Sequence, residues 1–407
     1  MSIQTIVIVG AGQAGASAIL ELRAQQFSGE IILIGDEPHL PYERPPLSKD
    51  AILQPEQTKL EILSEQKLAE LNVKVIRNNA VVKLQPEAHQ LILQSGDVIH
   101  YDKLLLATGG LARRLPMLDA LGQHVYTLRN LEDSQKLIPV LQAEKRILIV
   151  GGGVIGLELA SSARAKGCQV TVIEQGAMVM GRCSPLNLSQ FLLQQHQRAG
   201  IEIQLNTKLV QAELRDQEVI LTLENGQQLV GDAVIYGIGI VPNADLAREA
   251  GLDVDFAIQV NQYCQTSDPD IYAAGDVATQ LIEDGQYRRI ETWENANKQA
   301  GIFARHIMGN PLAQQTPAWF WTDQLDINFQ FAGDMTATEW HIRGEMDIEQ
   351  GKNANFVMFG TRNGILVAGI TVNQAKEMRH LKKMIAKAQP FDAETLLNLA
   401  IDLRKVA

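Results

Sequence analysis

At 407 residues the chain is long enough for two or three domains, and with 46% hydrophobic and 20% charged residues it reads as globular. Its formal charge of −11 excludes a general nucleic-acid binder, which would carry a basic stripe, and leaves room for a local basic patch. Cys168, Cys183 and Cys264 form no C-x-x-C pair, and eight histidines stand at no metal-binding spacing, which excludes a disulfide framework and predicts no metal site.

The chain opens on TIVIVGAGQAGASAIL, from Thr5. This run lacks the basic start of a signal peptide, and no apolar run reaches the roughly 18 residues of a membrane span, so we expect a cytoplasmic protein with no membrane contact. A β-branched strand pattern, then G-x-G-x-x-G at Gly10, Gly12 and Gly15, then a small-residue helix pattern predict a dinucleotide loop. The first glycine permits a tight turn, the second lets backbone N–H groups approach a pyrophosphate, and the third lets helix and strand pack closely. EIILIGDE follows and places Asp36, 21 residues after Gly15, where its carboxylate would accept ribose hydroxyls.

Next comes PYERPPLSK, residues 41–49, whose prolines predict a stiff, extended turn holding Arg44 and Lys49 and no cysteine. Strand patterns at VKVIR, LILQS and KLLLATGG complete the first third.

RILIVGGGVIGLELA, from Arg146, repeats the fingerprint at Gly151, Gly153 and Gly156, 141 residues after the first copy and too far on for a solenoid repeat. Its following strand, CQVTVIEQ, ends at Glu174, 18 residues after Gly156. A carboxylate there repels a 2′-phosphate and favours NADH over NADPH; Arg182, eight residues further on, leaves NADPH open. Glu158 is placed in the first turn of the second helix, where an acid also complements the helix dipole.

EVILTLENGQQL predicts a hairpin turning at Asn225–Gly226. AVIYGIGIVPN, VNQYCQT and DIYAAGDVA read as strands, ADLAREAGL and ENANKQAGIFARHIMG as helices. After Pro317 the strand-like WFWTDQLDINFQFAG and NFVMFGTRNGILVAGITV precede a helical MRHLKKMIAKAQ, an α+β pattern. Strand alternation puts Trp319 and Trp321 on one face. Arg379, Lys382, Lys383 and Lys387 make the last helix basic, as a solvated face or as a dock for an acidic partner.

Taken together, GAGQAG, PYERPPLSK, LLLATGG, VGGGVIGLELA, YGIGIVPN, YAAGDVA, ETWENANKQA and WFWTDQ span nearly the whole chain. The set resembles the NADH-dependent ferredoxin reductases that serve ring-hydroxylating dioxygenases and haem monooxygenases. Rubredoxin reductases and apoptosis-inducing-factor-like flavoproteins are close relatives of that group. The resemblance implies an α/β fold with two Rossmann-like, glutathione-reductase-like dinucleotide-binding domains and a C-terminal α+β domain. Their expected bounds are 1–112 with 243–316 for FAD, 113–242 for NADH, and 317–407 for the interface domain.

Carried over position by position, the resemblance implies that Ala14, Asp36, Arg44, Lys49, Val81, Thr108, Gly109, Arg129, Asp276 and Trp293 contact FAD, with Val81 and Trp293 equally suited to plain packing. Ile155, Glu158, Glu174, Arg182, Gly237 and Trp321 are implied to line the NADH site. Lys49 and Glu158 are the expected catalytic pair, the lysine offering a positive donor to the reduced flavin and the glutamate compensating its charge. The implied reaction has two halves: a hydride passes from NADH to FAD, and the electrons then leave singly to a ferredoxin or rubredoxin that feeds an oxygenase. Two alternatives stand beside it. An NADH oxidase, or a peroxide or disulfide reductase, would need a redox thiol by the flavin. An NADH-sensing flavoprotein of the apoptosis-inducing-factor type would reduce without turning over.

Overall fold

The computed structural model describes residues 3–282, 285–313 and 316–407. The chain divides into two compact units. One comprises Met1–Arg44, Lys59–Leu111 and Ile240–Gln314; the other comprises Pro45–Thr58, Ala112–Gly239 and Gln315–Ala407.

The first unit is built on a parallel sheet in the order Ile271–Ala273, Lys103–Leu106, Thr5–Val9, Glu30–Ile34, Val73–Ile76. The Thr5–Val9 strand is apolar almost throughout because both its faces are covered. Ile6 and Ile8 pack under the helices Gln13–Ala24 and Trp293–Ile307, with Ile19, Leu22 and Phe303. Val7 and Val9 pack on the opposite side against Leu84, Leu91 and Leu93 of a three-stranded antiparallel layer.

The second unit repeats this plan. Its parallel sheet runs Ile201–Gln204, Gln169–Ile173, Arg146–Val150, Ala233–Tyr236, Val125–Tyr126. Ile147 and Ile149 face the helices Val154–Ala165 and Leu186–Arg198, while Leu148 and Val150 face the meander that includes Glu218–Leu223 and Gln228–Gly231. The expected hairpin is present, with Thr222 opposite Gln228 and Gly226 at φ +83°.

The C-terminal part of this unit is a five-stranded antiparallel sheet ordered Trp319–Gln324, Ile327–Gly333, Ile365–Val372, Asn355–Arg362, Glu339–Glu345. Phe329, Phe356, Met358 and Ile370 join the core under the second dinucleotide helix, and Met378, Leu381 and Met384 of the helix Ala375–Ala386 cover other sheet residues.

Three expectations are corrected. PYERPPLSK is not extended throughout: Pro45–Ser48 form a 3-10 turn, because the φ that proline imposes suits a tight helical turn as well as an extended one. The turn is tied down where Ser134 donates to the Leu47 carbonyl at 2.8 Å and Ser162 to the Ser48 carbonyl at 2.6 Å. Cys264 does not lie in a strand; the Ile258–Val260 strand ends before it, and Cys264 turns the chain at φ +63°. Glu158 is not in the first turn of its helix but the fifth residue of Val154–Ala165, buried where dipole compensation is not its role.

Candidate functional site

In the first unit, the loops after Thr5–Val9, Glu30–Ile34, Lys103–Leu106 and Ile271–Ala273 leave one edge of the parallel sheet, the carboxyl edge at which open α/β sheets bind ligands. Gly10 sits at φ +114°, and a Cβ there would strike the Ala107 carbonyl. A Cβ on Gly15 would strike the Gly10 carbonyl, so this glycine lets the helix close on the loop. Gly12 is the reverse case, with nothing within 4 Å of where its Cβ would stand. It caps the Gln13–Ala24 helix without a side-chain cap, and the first turn carries no acid. Backbone donors and a positive dipole end facing open space are what a pyrophosphate requires, so the loop fits the FAD that the sequence implies.

Around this cradle stand most of the other expected residues. Ala14 is buried, and a Cβ on Gly275 would lie 3.3 Å from its methyl, which draws Asp276 alongside the loop. Thr108 donates to the Asn243 carbonyl at 2.7 Å, and the Asn243 amide to the Gly109 carbonyl at 2.9 Å, so this pair fixes the chain crossing. Trp293 opens its helix, from which Asn297 accepts a hydrogen bond from Gln13 at 2.8 Å. Val81 begins the strand Val81–Gln85 and packs against the core that holds Val7, Val9 and Ile34.

Asp36 is exposed, while Glu37 beside it accepts from the Tyr42 hydroxyl at 2.6 Å and from Arg44 at 2.7 Å. Burial pushes the Arg44 guanidinium down, but Tyr42, Glu37 and Asp276 outweigh it and hold the cation above its usual range. Glu37 is a candidate the sequence reading passed over. A second acid at the strand end, seven residues before an arginine, was its only signal.

The second unit holds the other glycine cradle. Gly151 turns at φ +115°, a Cβ on Gly156 would strike the Gly151 carbonyl, and Gly153 faces open space at an uncapped helix start. Glu174 accepts from the Gly152 amide at 2.7 Å and the Gly176 amide at 2.6 Å, and so is fixed at the loop's edge. Arg182 is exposed and reaches Gly239, in the turn that Gly237 begins with its amide on the Val150 carbonyl at 2.9 Å. Ile155 is 42% exposed beside the cradle, a large apolar side chain left at the helix start. The Arg129 amide donates to Asp133 at 2.9 Å, next to the capping box of Leu131–Leu137.

Lys49, Glu158 and Trp321 come together in this same unit. Glu158 is 3% exposed and accepts from Lys49 at 3.2 Å, from Thr322 at 2.7 Å, and from the Ser48 hydroxyl. Lys49 also pairs with Asp323 at 3.1 Å and lies 5.9 Å from the Trp321 ring centre. Burial lowers the Lys49 ammonium, yet Glu158 and Asp323 outweigh it and hold it charged above its ordinary value. Burial pushes the Glu158 carboxyl up, against the pull of Lys49, Ser48 and Thr322. Thr322, Ser48 and Asp323 were not singled out from sequence.

Trp319 and Trp321 do share a face, their rings stacked at 5.2 Å, and Lys382 stands 5.5 Å over Trp319. Lys382 is thus half-buried, and the exposed basic stripe on this helix is Lys376, Arg379, Lys383 and Lys387, at helical spacing. The three thiols lie elsewhere. Cys168 and Cys264 are buried, and burial pushes the Cys183 thiol up to about 11, so all three favour the protonated, unreactive form.

Residues 4–300 match the family model described as pyridine nucleotide-disulphide oxidoreductase, and residues 319–407 the one described as reductase C-terminal. The chain is 48% identical over 384 residues to the 3-phenylpropionate/cinnamic acid dioxygenase ferredoxin–NAD(+) reductase component of Photorhabdus laumondii subsp. laumondii, covering 94% of this chain and 96% of the relative. It superposes with a TM-score of 0.93 on putidaredoxin reductase from its covalent complex with putidaredoxin, at 32% identity over 100% of this chain and 98% of that one. The ferredoxin reductase for the CYP199A2 system from Rhodopseudomonas palustris gives a TM-score of 0.93 at 33% identity, over 99% and 100%.

Proposed function

The chain belongs to the pyridine nucleotide-disulphide oxidoreductase family, and from that premise we propose that it is the FAD-dependent NADH:ferredoxin reductase of an oxygenase system. FAD when bound supplies the redox chemistry, taking a hydride from NADH and giving up its electrons singly. The Gly10–Gly15 loop holds the FAD pyrophosphate and the Gly151–Gly156 loop that of NADH, each through backbone N–H groups at a helix start. Glu174 receives the NADH ribose hydroxyls and repels a 2′-phosphate. Lys49 would supply a fixed positive charge to a flavin ring as it gains electrons, Glu158 and Asp323 hold that lysine in place, and Trp321 would offer a plane that excludes water.

The observation that carries this reading is Lys49 itself, ion-paired to Glu158 and Asp323, with no cysteine in its PYERPPLSK run. The thiols the chain does have are buried or half-buried and held protonated, which suits a reducing, cytoplasmic setting and leaves an external acceptor as the electrons' exit. That acceptor is an acidic ferredoxin, and the exposed stripe of Lys376, Arg379, Lys383 and Lys387 is the surface that would steer it. No helix among the described residues is long and apolar enough to cross a membrane.

Anaerobic titration of the FAD-loaded protein with NADH tests the absence of an internal thiol acceptor. Full bleaching of the flavin should take about one equivalent of NADH per FAD. An uptake of about two equivalents would mark a redox disulfide and sink the proposal.

A further inference from the structure

Glu158 is the end of a longer buried chain. Its Oε1 accepts from the Thr322 hydroxyl at 2.7 Å. Thr322 in turn accepts from the Gln324 amide nitrogen at 3.1 Å, which also reaches the Met180 sulfur at 3.4 Å. The Gln324 carbonyl oxygen lies 3.0 Å from Nε2 of His196, on the neighbouring helix Leu186–Arg198. His196 and Thr322 are 0% exposed, Gln324 1% and Glu158 3%, so water does not compete for any of these bonds.

The chemistry of each group fixes the direction of the chain. Lys49 can only donate, so the Glu158 oxygen it faces is an acceptor. Thr322 has one hydroxyl hydrogen; given to Glu158, it leaves only lone pairs for Gln324. Gln324 must then present its NH2 to Thr322 and its carbonyl to His196. The His196 proton therefore sits on Nε2, and Nδ1, which has no partner, keeps its lone pair. The opposite polarity would turn Gln324 over, put a proton on Nδ1 with nothing to receive it, and set two lone pairs face to face unless Glu158 were protonated. A buried, unpaired N–H donor costs more than a buried, unpaired imidazole lone pair. The charged groups facing Glu158 are Lys49 and, beyond it, Asp323; around His196 only Gln324 makes a polar contact in the described residues.

We propose that His196 and Gln324 are positioning residues for the reaction: with Thr322 they form a one-way chain of donors that holds Glu158 as an acceptor and so keeps Lys49 charged and aimed. This rests on the role proposed above for the Lys49–Glu158 pair. Each of the two acts through the next residue of the chain, and so on Glu158.

The test has two arms on the FAD-loaded protein. The first labels histidine with nitrogen-15, and the signals lost in His196→Gln identify the His196 ring. At pH 7 we expect a neutral ring protonated at Nε2. A ring protonated at Nδ1, or on both nitrogens, overturns the chain. The second arm compares Thr322→Val, which keeps the β-branched shape without the hydroxyl, with Thr322→Ser, which restores the donor. Losing one hydrogen bond to a carboxylate moves a rate by about tenfold. Thr322→Val should slow NADH-driven flavin reduction to that extent and give it a pH-dependent step as Glu158 takes up a proton, while Thr322→Ser follows the wild type. Matching profiles for Thr322→Val and the wild type contradict the proposal. If Glu158→Gln reduces flavin at the wild-type rate, the role of the pair itself falls. The hydrogen-bond chain is then judged by the histidine signal alone.

Discussion

Glu158 is a carboxylate taken almost wholly out of water, and it is tolerable there only because Lys49, Ser48 and Thr322 all give it hydrogens. Removing one partner of such a pair leaves a bare charge and costs about 3–5 kcal/mol. Lys49→Met should therefore lower denaturant stability by that amount, and Lys49→Met with Glu158→Gln should recover most of it. The single variant should still bind FAD, because the glycine cradle is untouched, and should reduce it slowly in stopped flow. Wild-type reduction rates would remove Lys49 from the mechanism. Lys49 was visible in the sequence through the family resemblance that PYERPPLSK carries, and the glycines through spacing, since glycine spacing encodes local backbone geometry. The partners of the pair were not: Thr322 lies 164 residues from Glu158, and Gln324 lies 128 from His196. Separations of that size leave no periodic trace.

The helix Leu186–Arg198 and the strand Trp319–Gln324 are joined by the His196–Gln324 contact, and this gives that junction a pH dependence. Burial holds the folded His196 pKa at about 4, below the ordinary value of 6.5. The unfolded chain thus binds the proton first as pH falls, so stability is full above pH 6.5, declines below it, and stops declining near pH 4. Between pH 7 and pH 5 the loss from this group is about 2 kcal/mol. Melting curves should show it in the wild type and not in His196→Gln; equal losses in both would rule out this source. At the level of elements, the five strands of the first parallel sheet, the Asn225–Gly226 hairpin and both dinucleotide helices were legible, because apolar runs and turn residues specify them locally. The proline run was misread as extended because proline fixes φ and leaves ψ to tertiary anchors, here Ser134 and Ser162. ADLAREAGL shrinks to a helix of 5 residues, Asp245–Glu249, since Gly251 at φ +79° stops it.

Over the whole molecule, a net charge of −11 would repel an acidic partner at long range, so approach must rely on a local exception. The exposed stripe Lys376, Arg379, Lys383 and Lys387 is such an exception. The segment MRHLKKMIAKAQ pointed to a basic helix. Only the fold separated Lys382, laid over Trp319, from the residues that face solvent. Charge reversal at Arg379 and Lys383 should raise the ferredoxin KM about tenfold at low salt, with the difference shrinking as salt rises and ferricyanide reduction unchanged. An unaltered ferredoxin KM would place the dock elsewhere. Electrons entering from NADH leave singly to an external iron–sulfur protein. The decisive experiment mixes the FAD-loaded protein anaerobically with NADH and an excess of [2Fe–2S] ferredoxin. Many turnovers are expected, with about two ferredoxins reduced per NADH consumed. Flavin reduction that stops after a single turnover, with the ferredoxin left oxidised, would contradict it.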